Sequence, residues 1–203
     1  MPGGFAKNRL NKGFLLVEAL ISITILIMVS VTGISLLILG QQAINFNEHS
    51  LEASLLSQEG VYSIRGLRDT NWLRNGYDKA TCWKMINSDC TSPITTTFYR
   101  IDVAQTGAPT LTEGKKLDIS DGISTDDEYY QLYYQDLDSD LDVTERFVGH
   151  DSGELTSPFY RMVEITSSTA DHVEGVVRVA WLESGKAKEI SLPFTLTNYL
   201  LET

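Results

Sequence analysis

An α+β fold, with one long N-terminal helix laid on an antiparallel sheet, is what this chain predicts, and three observations predict it. An apolar run from Phe14 to Leu39 is unbroken by proline. Helical periodicity then continues to about Arg68, and the C-terminal half is a string of β-branched and aromatic segments.

The first element is a short basic tip. Residues 1–13 hold Lys7, Arg9 and Lys12 with no acid, whereas everything after Gly13 carries 13 basic and 27 acidic residues, a net of −14. A basic tip before an apolar run and an acidic body places the N-terminus in the cytoplasm and the body outside. The same acidity argues against nucleic acid as a ligand of the body, since phosphate binding needs clustered Lys and Arg.

The second element is the span. The 26 residues from Phe14 to Leu39 make a helix of about 39 Å, enough to cross a hydrocarbon core of about 30 Å. The run is too long for a secretory signal and no A-x-A-like site follows it, so a retained anchor is expected. Ser22, Thr24, Ser30, Thr32, Gly33, Ser35 and Gly40 are scattered along it. Such residues suit helix–helix packing in lipid, or are incidental to an unpaired anchor. Glu18 is the only ionisable residue in the span, and a charge at mid-bilayer costs about 2.5–3.5 kcal/mol, less near an end.

The third element continues the helix. Ile44, Leu51, Leu55 and Tyr62 recur at steps of seven, four and seven, and Phe46, Ala53, Leu56, Ile64 and Leu67 widen the stripe. The pattern predicts an amphipathic helix whose stripe buries against the body, ending near Arg65 and Arg68, where cations suit the helix dipole. Gly60 and Gly66 weaken its distal end.

The body follows. Strands are expected at 94–103, 128–135, 157–166, 172–182 and 187–197. Short connections at Ala170–Asp171 and Ser184–Gly185 make the last three an antiparallel meander. Pro193 puts the final strand at an edge or a bulge. Cys82 and Cys90, eight apart in an exported body, predict a disulfide that pins a loop; free thiols are the other reading.

The stretch K-G-F-L-L-V-E, with Lys12, Gly13, Phe14 and Glu18, resembles the class III leader of type IV pilins and pseudopilins. The resemblance covers about 30 residues strictly and the order of the remaining elements loosely. It implies a leader at 1–13, a transmembrane half-helix at 14–40, an amphipathic half at 41–70 and an extracytoplasmic body at 71–203. It also implies that a prepilin peptidase and N-methyltransferase cuts after Gly13 and methylates Phe14. The freed amine of Phe14 and the carboxylate of Glu18, one turn along, then offset each other's burial. Between stacked subunits the same pair would set axial register, as a buried polar residue does in a coiled coil. Glu18 alternatively snorkels to the headgroups.

Asp136, Asp138, Asp140 and Asp142, in D-L-D-S-D-L-D, alternate along one segment. In a loop they could converge on Ca²⁺, as loops of some pilin-like proteins do. The segment departs from an EF-hand, with Leu141 and Phe147 at positions six and twelve, and a solvated acidic loop is the plainer reading. His49, His150 and His172 belong to no metal signature, and no nucleophile elbow or phosphate loop occurs. No catalytic constellation and no resident cofactor is expected. The expected role is a structural subunit of a pilus or pseudopilus, most like a minor pilin. Its partners would be the peptidase, other pilin subunits and the cytoplasmic membrane, with the body carried into an extracellular or periplasmic filament. The alternative is an anchored extracellular binding module that never polymerises.

Overall fold

The computed structural model describes residues 12–75, 78–103, 108–120, 123–124, 127–136, 146–150 and 155–198. The chain divides into two compact units, Met1–Glu48 and His49–Thr203. A single helix, α1 (Lys12–Arg74), contributes to both. It runs six residues beyond the expected end at Arg68, because nothing in L-R-D-T-N-W-L-R breaks it and Asn75 N–H still bonds the Asn71 carbonyl at 3.0 Å.

In the first unit every residue from Leu16 to Glu48 is exposed. Among the described residues nothing covers these apolar side chains. The length and composition of this segment suffice to cross a membrane.

Among the described residues the second unit is a seven-stranded antiparallel sheet with the last turns of α1 on one face. Its strands are β1 (Phe98–Asp102), β2 (Thr110–Gly114), β3 (Gln131–Asp136), β4 (Arg146–Gly149), β5 (Leu155–Ser168), β6 (His172–Glu183) and β7 (Lys186–Thr197). A short helix, α2 (Lys79–Cys82), precedes them. The 14-residue β5 is the trunk. One of its edges pairs with β6 from Phe159↔Trp181 to Ser168↔Val173. Its other edge forks: β3 pairs with it between Leu155 and Tyr160, and β1 pairs at Val163 and Glu164. β4 extends β3 outward and β2 extends β1.

The meander β5–β6–β7 stands as expected, with the turn at Ser184–Gly185. Both turn residues have positive φ, 50° and 74°, the geometry that matches a tight hairpin to strand twist. Among the described residues β7 pairs only with β6, so Pro193 is on an edge strand. Counting from the closing pair Glu183↔Lys186, even-numbered residues of β7 bond β6 and odd-numbered ones face outward. Pro193, with no N–H to give, has the outward parity. Residues 94–97 precede the strand expected at 94–103, and 128–130 form a 3-10 turn before β3. β2 and β4 are additional strands.

The amphipathic stripe requires a correction. Leu51, Leu55 and Tyr62, expected to bury, are exposed, as are Ile44 and Phe46. Ala53, Leu56, Ile64 and Leu67 are the ones packed on the sheet, joined by Ser57, Gly60, Val61 and Asn71. They meet Val163, Val173, Val177, Phe194 and Leu196 at one end, and Leu132, Phe159, Val179 and Trp181 at the other. The opposite face of the sheet has its own small core of Leu117, Ile119, Tyr130, Tyr160, Met162 and Ala180. The buried Asp127 holds that cover in place, its carboxylate accepting from Asp118 N at 3.1 Å and Ser124 N at 2.9 Å.

Candidate assembly faces and the residues that position them

Glu18 lies in the helical segment of the first unit and is exposed, within one turn of Phe14 in the chain. Gly13 and Phe14 are helical in backbone. Four hydroxyls along this segment bond back to the helix's own backbone, without a partner helix. Thr24 donates to the Leu20 carbonyl at 2.7 Å, Ser30 to Leu26 at 2.8 Å, and Ser35 to Val31 at 2.9 Å. Thr32 does the same towards Val29 at 2.9 Å. A hydroxyl bonded back one turn is inexpensive in lipid, so these side chains leave the span apolar in effect.

In the second unit the helix has two apolar faces. At about 100° per residue, the buried set Ala53, Leu56, Gly60, Ile64, Leu67 and Asn71 follows one line. Leu51, Leu55, Tyr62 and Leu73 follow another on roughly the opposite side. The second set is 65%, 57%, 65% and 85% exposed. A helix used only to cover a sheet needs one stripe, with polar residues opposite. This one leaves four large apolar side chains in line on the far side.

Polar contacts fix the inner face. Arg161, on the trunk strand, is completely buried, and its Nη1 donates to the Leu56 carbonyl at 3.3 Å and to Glu59 Oε1 at 3.2 Å. Gly60 makes room for this approach: a Cβ there would come within 2.8 Å of Val177 Cγ1 and 3.4 Å of Arg161 Cδ. Tyr134 Oη donates to Glu52 at 2.7 Å, and Asn71 Nδ2 to the Met85 carbonyl at 3.0 Å. His150, buried after β4, donates from Nδ1 to the Gln131 carbonyl at 3.0 Å. Burial, and next the nearby Arg161 cation, hold its imidazole well below the ordinary histidine range. His49 packs edge-on against Phe159, and His172 closes the β5–β6 turn with Thr169. Each of the three histidines has a packing or hydrogen-bond partner among the described residues.

Cys82 and Cys90 form the expected disulfide. It closes a loop that ties the helix end to the sheet. Asn75 Nδ2 donates to the Ser88 carbonyl at 3.2 Å, Arg74 Nη1 to Ser88 Oγ at 2.8 Å, and Lys84 Nζ to the Thr169 carbonyl at 2.7 Å. Leu111 N–H of β2 bonds the Ile86 carbonyl at 2.8 Å.

Of the acidic alternation, Asp136 ends β3, while Asp138, Asp140 and Asp142 lie outside the described residues. Among the described residues no three His, Cys, Asp or Glu side chains are grouped to hold a metal ion. Arg161 is the residue a reading of periodicity passes over. Its signal is parity: Phe159, Arg161 and Val163 share one face of β5, and a cation between two apolar inward positions is out of pattern. No protein-family model, curated protein or solved structure matches the chain.

Proposed function

We propose that this chain is a structural subunit of a type IV pilus or related pseudopilus. It is processed after Gly13 by a prepilin peptidase, N-methylated on Phe14 and assembled through α1, in the manner of a minor pilin. The observation that carries the reading is the second apolar stripe. Leu51, Leu55, Tyr62 and Leu73 are exposed on the side of α1 away from the sheet, in a chain whose preceding apolar segment has no intrachain cover. Exposed apolar surface in line on one element marks an interaction site. Copies of the same helix, entering side by side, would cover both the apolar segment and the stripe. An anchored binding module that never polymerises gives Leu51, Leu55, Tyr62 and Leu73 no second copy of the helix to pack on.

The leader residues supply the chemistry of entry. The Lys12-Gly13-Phe14 junction offers the peptidase its cut, and the new amine at Phe14 meets the carboxylate of Glu18 on a neighbouring copy. A charge pair in lipid offsets the desolvation that each member suffers alone. The chain is then a substrate of the peptidase and performs no reaction itself.

Mass spectrometry of the N-terminus, on protein from cells with an active peptidase, tests the processing step. A methylated Phe14 terminus is the expected result, and an uncut Met1 or Pro2 terminus overturns it. Glu18→Ala tests assembly: membrane insertion stays normal and recovery in sheared filaments falls. Unchanged recovery removes the register role.

A further inference from the structure

We propose that Arg161 is a positioning residue that sets the rotational phase of α1 on the sheet. It thereby decides which of the two apolar stripes stays outside. That the outer stripe is an assembly face rests on the proposed function; the phase-setting role does not.

The case begins with an ambiguity. Residues 51–73 offer Leu51, Leu55, Tyr62 and Leu73 on one side and Leu56, Val61, Ile64 and Leu67 on the other. The buried side also includes the small residues Ala53, Ser57 and Gly60. Apolar burial is non-directional and roughly proportional to area, so area by itself discriminates weakly between such faces, although the close approach at Gly60 admits only a small residue there. Directional contacts do discriminate. Arg161 reaches from the trunk strand to the Leu56 carbonyl, presented when residues 53, 56, 60 and 64 face the sheet, and to the carboxylate of Glu59 at the edge of that face. Rolling the helix by one residue, about 100°, takes the Leu56 carbonyl out of reach and breaks the two-point grip of the guanidinium on the helix.

Stability is a poor explanation for this cation. Arg161 is fully buried between the inward-facing Phe159 and Val163, and its partner Glu59 is 38% exposed at the side chain. An apolar side chain of similar volume in such a place is often neutral or stabilising, whereas a buried charge that must be matched fixes register. Gly60 fits the same purpose, since it is the point where the helix backbone comes closest to Val177 and Arg161. Tyr134–Glu52 and Asn71–Met85 act nearer the two ends of this segment and support the same phase.

The test uses the full chain in detergent micelles without reductant, so that Cys82 and Cys90 stay bonded. Leu55→Cys and Ser57→Cys are made singly, and maleimide labelling rates are compared. Leu55 is 57% exposed and Ser57 1% exposed, so the first labels much faster. In an Arg161→Met background the ratio of the two rates is expected to collapse by about tenfold or more (1.4 kcal/mol of phase preference). Leu55→Cys slows, Ser57→Cys quickens, and the thermal midpoint is held or raised. Arg161→Lys, a cation still within reach of Leu56, is expected to restore much of the ratio. A cooperatively melting Arg161→Met protein with the parent ratio overturns the proposal. If Arg161→Met gives no cooperative melt, Glu59→Ala takes its place: a smaller collapse, about threefold, supports the role, and an unchanged ratio overturns it. Filament recovery is not read in this experiment, so failure of the phase role and failure of the pilin reading are separate results.

Discussion

Gly60 of α1 and Val177 of β6 approach so closely that a Cβ on the glycine would lie 2.8 Å from Val177 Cγ1. Alanine in a helix interior ordinarily gains up to about 1 kcal/mol over glycine. Here the added methyl must displace a buried, stiff β-branched side chain, and overpacking of that kind costs about 1–3 kcal/mol. Gly60→Ala is therefore expected to destabilise the fold by about 1–2 kcal/mol. Gly66 is the internal control, because its added Cβ would meet only Pro109 Cγ at 3.9 Å, an ordinary contact. Gly66→Ala should stabilise by about 0.5–1 kcal/mol. Denaturant midpoints of the two variants check the pair, and shifts of the same sign would contradict the close-approach explanation.

The contrast between these glycines shows where sequence-level inference stops. Periodicity reveals that residues 44–67 form an amphipathic helix, because apolar side chains recur every three or four positions. It does not reveal which apolar line is covered, and here the cleaner spacing, Leu51–Leu55–Tyr62, belongs to the exposed side. The covered side is interrupted by Ser57 and Gly60, which the sheet needs small. The meander β5–β7 is legible from its long β-branched runs and two-residue turns. β2 and β4 are not, since T-L-T-E-G and R-F-V-G owe their extended form to pairing with β1 and β3. Cys82 and Cys90 are legible as a pair, while the strap they make between the helix end and β2 depends on backbone contacts that no spacing encodes. Glu18 stands out because a lone carboxylate in an apolar run violates the local pattern; Arg161 violates its strand's pattern in the same way and is hidden only by the alternation around it.

The disulfide yields the second prediction. Closing a loop of eight residues contributes about 2–3 kcal/mol on the chain-entropy model. The loop also carries the partners of Asn71, Arg74 and Asn75, so its loss should loosen the last turn of α1 first. Cys82→Ala with Cys90→Ser is expected to lower the thermal midpoint by about 5–10 °C. Amide exchange at residues 70–75 should rise more than at 53–64. Uniform acceleration along the helix would show that the strap is not what holds its end.

His150 gives a pH dependence with a definite sign. Its imidazole is neutral in the fold, donating to Gln131, with burial and then Arg161 opposing protonation. In the unfolded chain it titrates near 6.5. Below that value the unfolded state binds the proton first, so stability is fully present above 6.5 and is lost as pH falls towards the depressed folded value. The slope approaches one proton, about 1.4 kcal/mol per pH unit. Urea midpoints between pH 5 and 7 should fall more steeply for the parent chain than for His150→Gln, which cannot take up the proton. Parallel curves would mean that the imidazole is charged, or paired, in the folded state.

At the outer stripe folding and the proposed assembly are separable. Leu55 and Tyr62 are 57% and 65% exposed on a helix whose other side carries the packing. Replacing them touches no described core contact, and surface substitutions of this kind stay within about 0.5 kcal/mol. Leu55→Ser with Tyr62→Ser should therefore leave the melting midpoint and the labelling of buried positions unchanged. In an assembled filament each would lose an apolar contact, and burying a large apolar side chain is worth about 1.5–3 kcal/mol. Two such losses reduce subunit incorporation by at least about tenfold. Quantifying the chain in sheared filaments against the membrane fraction checks this. Equal incorporation with an unchanged fold would mean that the stripe faces water in the working state, and the helix would then have to assemble through its preceding apolar segment alone.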